Sequence, residues 1–161
     1  MLILAAAAAA TAIACPIERA HYHLRHDAAI TMAFMPIKTS QDWPSGVAAV
    51  IRFHNSGRSY SFLPWNGGTD GRQNMAHTTD VTQPDYRLPS PDGGPGRLGD
   101  MEYLGMDARY DVIQHVPMHG EQAPAHILLP ELRGVTWYGS LTARDAAEKQ
   151  FFDLDGCTPA A

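Results

Sequence analysis

Trp65, Asn66, Asp70, Arg72, Gln73 and His77 are crowded into one run, PWNGGTDGRQNMAHTTD, from Pro64 to Asp80. An indole offers a stacking face, and amides, a carboxylate and a guanidinium satisfy hydroxyls, so these residue types suit a small polar ligand such as a sugar. Trp43 offers a second ring nearby in the chain. The plainer account is that Trp65 plugs the end of a β domain while Asp70 and Arg72 tie down their own loop, with the glycines serving backbone geometry alone.

A hydrolytic site in the same run would take His77 as base, oriented by Asp70 or Asp80, with Thr78, Thr79 or a distant Ser as nucleophile. Neighbours in sequence do not make a triad, and there is no Gly-x-Ser-x-Gly elbow. The glycines of Gly67-Gly68-Thr69-Asp70-Gly71 lack both the Walker spacing and the dinucleotide fingerprint, so no cofactor is implied. His21 and His23 lie two apart and would leave a strand on the same face, which makes them the weak candidates for a metal. Two imidazoles without a third ligand do not make a site. Asp92, Asp100, Glu102 and Asp107 lack the EF-hand spacing and read as solvated turn residues.

What must position these groups is one domain. The chain has 161 residues, 45% of them hydrophobic, enough for a single sizeable core. A net charge of -5 leaves no basic footprint for nucleic acid. Residues 1–14, MLILAAAAAATAIA, are apolar apart from Thr11, too short for an integral membrane span, and end in a small-x-small pattern. They read as a signal peptide, with residues 15–161 as a single β-rich domain exported to the periplasm or secreted. Two cysteines remain, Cys15 and Cys157. In an oxidising compartment they are expected to pair. The alternative is a lipid anchor on Cys15, since Ala12-Ile13-Ala14-Cys15 loosely matches a bacterial lipobox.

Alternation of apolar and polar residues predicts strands over 20–27 and 30–35, then a hairpin in which Val47, Ala49, Ile51 and Phe53 share a face with Tyr60, Phe62 and Pro64. The shared face demands an even loop and brings positions 53 and 60 close, with Gly57 supplying a positive φ. Trp65 should then leave on the opposite side, away from the core. From 64 to 100 the periodicity is lost, and Pro84, Pro89, Pro91 and Pro95 alternate with glycines, which predicts a long irregular loop. Beyond it, 101–106 and 110–118 read as a second hairpin, 125–129 and 135–141 as strands, 143–149 as a short helix opened by Thr142 and Asp145, and 150–154 as the last strand. The fold class is mainly β, an antiparallel β-sandwich or small barrel with at most one short helix. Its expected function is a binding or interaction module that uses the 65–80 loop for a small polar ligand or an envelope protein partner. The alternatives are a small hydrolase built on His77 and a structural envelope protein.

Overall fold

A computed structural model describes residues 15–67, 71–91, 94, 97–142 and 144–159. The described residues form nine antiparallel strands: β1 (Ala20–Leu24), β2 (Asp27–Pro36), β3 (Val47–Phe53), β4 (Arg58–Gly67), β5 (Arg72–Thr78), β6 (Asp100–Glu102), β7 (Leu104–Met106), β8 (His126–Leu128) and β9 (Phe151–Cys157). A 3-10 turn at Ile17–Arg19 precedes them, and one α-helix, α1 (Leu132–Tyr138), lies between β8 and β9. The strands join in a single sheet of order β6-β5-β4-β3-β2-β1-β9-β8-β7. The two edge strands, β6 and β7, are consecutive in the chain with only Tyr103 between them, so the sheet must curl until its edges meet. The result is a nearly closed barrel, the closure that removes long unpaired edges.

Period-2 alternation sorts side chains to the two faces. Inward lie Tyr22, Leu24, Met32, Phe34, Ile51, Phe62, Met75, Tyr103, Ile127 and Phe152, in one continuous core. The hairpin register is Ile51 opposite Tyr60 and Phe53 opposite Arg58, so Phe53 and Tyr60 meet diagonally, ring centroids 5.6 Å apart. The loop is His54–Gly57, even in length, with Gly57 at φ 71°.

β3 reads VAAVIRF, apolar on both faces, because its outer face is also covered. A second cluster, Trp43, Ala48, Val50, Leu63, Ala76 and Val81, lies outside the barrel wall, with Trp65, Tyr86 and Leu88 packed against it. The Pro-rich segment after β5 is thus a strap across β3, β4 and β5, pinned where the Trp43 indole N–H donates to the Pro89 carbonyl at 3.0 Å.

Four expectations are corrected. The irregular stretch expected over 64–100 contains the end of β4 and all of β5; Gln73, Met75 and His77 do alternate, but polar residues occupy two of the inward positions and hide the pattern. Residues 135–141 do not form a strand. Leu132, Val135 and Thr136 are buried at helical spacing in α1, and the β-branched and aromatic residues of LRGVTWY mask that period. The short helix expected over 143–149 is irregular chain at 144–149, where Asp145, instead of capping a helix, accepts from the Tyr60 hydroxyl at 2.7 Å and the Arg58 guanidinium at 3.1 Å. The hairpin expected from 101–106 and 110–118 is reduced to a turn with one bridge, Met106 to Val112, and β7 pairs with β8 instead.

Cys15 and Cys157 form a disulfide, Cα atoms 5.7 Å apart, at the point where β1 and β9 run side by side. With its sulfur in that bond, Cys15 has none left for a lipid thioether. No helix among the described residues is long and apolar enough to cross a membrane.

Candidate functional site

Because 64–67 and 72–78 are paired strands, five of the six residues expected to share a ligand are divided between two faces. Asn66 lies opposite Gln73, and Phe62 opposite His77, on the inward face; Trp65 and Arg72 are on the outward one. Asp70 lies outside the described residues. Asn66 accepts the Val116 N–H at 3.3 Å and so ties the barrel wall to the segment that crosses its end. Gln73 is buried, with its Oε1 unpartnered among the described residues. The Trp65 ring lies over Gly67, so that a Cβ on Gly67 would fall inside the indole, and its buried N–H likewise finds no acceptor among the described residues. It leaves the ladder opposite Phe62 as expected, yet that side is packed rather than open. Arg72 is exposed.

His77 is half-buried against Phe62 and accepts the Leu98 N–H on Nδ1 at 3.2 Å, which places its proton on Nε2. Burial, reinforced by the charge of Arg97, lowers its pKa to about 4, so the ring is neutral at pH 7. The Asp80 carboxylate is occupied by its own turn, accepting from Thr82 and Gln83. His21 is hydrogen-bonded to the Thr158 hydroxyl at 2.5 Å, and His23 lies 3.7 Å from Asp155. No three His, Cys, Asp or Glu side chains converge as metal ligands among the described residues.

Two constellations that the sequence did not suggest are assembled from distant segments. On the outer face, Arg25 grips Asp153 with two bonds of 2.7 Å, and His126 Nδ1 reaches the same carboxylate at 2.7 Å. Tyr110, at φ 66°, stacks on the His126 ring with centroids 4.2 Å apart and accepts from Arg25 at 2.9 Å. The Arg25 hydrogen bonds pull the Asp153 pKa down to about 2. This cluster extends a row in strict register across six strands, His126, Asp153, His23, Thr31, Arg52 and Ser59, a solvated polar face on the wall of the barrel.

Near the disulfide is a cavity of about 730 Å³. Its floor is apolar: Ala108, Ile113, Ala123, Pro124, Ala125 and Leu154. Around it stand Asp107, His115, Glu121 and Gln122. One wall is the turn after β7, shaped by the Asp107 carboxylate, which accepts the backbone N–H of Arg109 and Asp111, and clipped to the barrel by Tyr110. The other wall is 121–125. Ile17 donates to Glu121 O and Ala123 to Cys15 O, both at 2.8 Å, the Cys15 N–H reaches Gln122 Oε1, and the Tyr22 hydroxyl donates to Pro124 O. This wall is therefore stitched to the chain segment that the disulfide holds. His115 Nε2 lies 3.0 Å from Glu121 Oε2, which also accepts the Met118 N–H.

Comparison of the chain with protein-family models, with curated proteins and with solved structures finds no match.

Proposed function

We propose that the protein is an exported binding domain and that it takes its ligand in the cavity between the 107–115 turn and the 121–125 wall. The reading is carried by one observation: a concave space of about 730 Å³ with an apolar floor and a few polar groups at its margin, the usual make-up of a small-molecule site. The barrel interior is filled by large side chains such as Tyr22, Phe62, Tyr103 and Phe152, which leaves the cavity beside the disulfide as the better receptacle. This reading differs from a ligand on the 65–80 hairpin, whose described side chains are spread over two faces.

Export to the periplasm or the exterior is supported by the apolar residues 1–14 and by a disulfide, which persists in oxidising compartments.

The test is a fragment screen by NMR on the mature chain. Binders should shift the amide signals of Ile113, Ala123 and Leu154, and Ile113→Trp, which fills the space, should abolish those shifts while leaving the rest of the spectrum in place. Hits that map to Arg72 and Asn74 would return the site to the hairpin.

A further inference from the structure

The margin of the cavity carries a carboxylate oxygen with no partner among the described residues, and this points to the head group of its occupant. Glu121 Oε2 already accepts the Met118 N–H at 3.2 Å and lies 3.0 Å from His115 Nε2. An ionised carboxylate can only accept, so His115 donates to it through Nε2–H. Glu121 Oε1 has no partner among the described residues. The nearby cation, Arg109, is committed to Asp107 and Asp111. Gln122 accepts the Cys15 N–H on its Oε1 and gives one of its two amide hydrogens to the Ala123 carbonyl. Among the described residues this leaves a carboxylate oxygen, Glu121 Oε1, without a partner beside a floor of aliphatic carbon.

A carboxylate or phosphate head group would meet like charge at Glu121 and Asp107. A primary ammonium brings three N–H donors and a charge complementary to Glu121, and an aliphatic body would cover Ile113, Ala123 and Leu154. We infer that the cavity binds a small amphiphilic primary amine, its ammonium on Glu121 Oε1 and its apolar body on the floor. This rests on the cavity being the ligand site.

The experiment titrates the disulfide-intact protein at pH 7 with hexylamine, hexanol and hexanoate and follows the Ile113 and Ala123 amides. Hexylamine should bind about tenfold more tightly than hexanol, and hexanoate more weakly than either. Glu121→Gln should remove the preference for the amine over the alcohol while hexanol binds as before. If none of the three probes moves those amides, the cavity reading itself falls. If hexanol binds and hexylamine gains nothing over it, or Glu121→Gln leaves the gain intact, the cavity stands and the assignment of the amine is overturned. Tighter binding of hexanoate would overturn it as well.

Discussion

Phe62 and His77 face one another across β4 and β5, edge to face, with ring centroids 5.6 Å apart. The pairing holds an imidazole against the core and uses its Nδ1 as an acceptor for a backbone amide, which only the neutral ring can provide. With the folded pKa near 4 and the unfolded one near 6.5, the unfolded chain binds the proton more readily between those values. Stability is then undiminished above 6.5 and falls as the pH drops toward 4. His77 should titrate in the folded protein with a midpoint near 4 by NMR. His77→Gln should flatten the dependence of the urea midpoint on pH across that window, and equal slopes in the two proteins would refute the assignment.

Asp145 joins the irregular chain after α1 to the turn end of the β3–β4 hairpin. Burial disfavours its charge, yet the Tyr60 hydroxyl and the Arg58 guanidinium outweigh that and hold its pKa below the ordinary carboxylate value. Asp145→Ala strands the buried Tyr60 hydroxyl and should cost about 1 to 3 kcal/mol in chemical denaturation. Tyr60→Phe leaves Asp145 its arginine and should cost less, about 1 kcal/mol. The contribution of Asp145 is present above the unfolded carboxylate pKa and fades as the pH falls through the lower folded value. A larger loss in Tyr60→Phe than in Asp145→Ala would contradict this ordering.

Gly67 is required by Trp65. A methyl at 67 would occupy the space of the indole, so Gly67→Ala must push Trp65 off the outer cluster and should destabilise the fold by about 1 to 3 kcal/mol. The indole N–H resonance of Trp65, identified by its loss in Trp65→Phe, should move toward the solvent-exposed position in Gly67→Ala. An unmoved resonance at full stability would show that the ring is not where the packing puts it.

The disulfide closes a separation of 142 residues, for which loop-closure entropy gives on the order of 4 to 5 kcal/mol. Its reduction should lower the urea midpoint accordingly. It should also loosen the 121–125 wall first, seen as faster amide exchange at Ala123, because that amide is bonded to the Cys15 carbonyl. Uniform loss of protection across the barrel would argue against such local release.

Much of the barrel was legible in the chain. The face shared by 47–53 and 60–64 emerged from alternation alone, because a strand with one buried face must repeat every two residues. β5 was not, since Gln73 and His77 take inward positions that alternation expects to be apolar, and α1 was not, since Val135, Thr136, Trp137 and Tyr138 favour strands when taken one by one. The hairpin candidates lay in one run, yet strand pairing sends neighbours in sequence to opposite faces. The cavity reverses that lesson: Asp107, Glu121 and Leu154 belong to three segments whose meeting is a property of the closed sheet, and no local pattern marks them.

Tyr103, the single residue between β6 and β7, is the seam of the barrel. Because both edges of the sheet flow into it, a circular permutant opened there would have its new termini at the two free edges and would lose the covalent link across them, leaving only contacts such as Glu102 to Glu131 and Val116 to Asn66 to close the circumference. Opened instead in the His54–Gly57 loop, with the natural ends fused beside the disulfide, the same sequence would retain an unbroken hoop. The connectivity at one buried tyrosine thus divides the places where this chain tolerates being cut from the place where it does not.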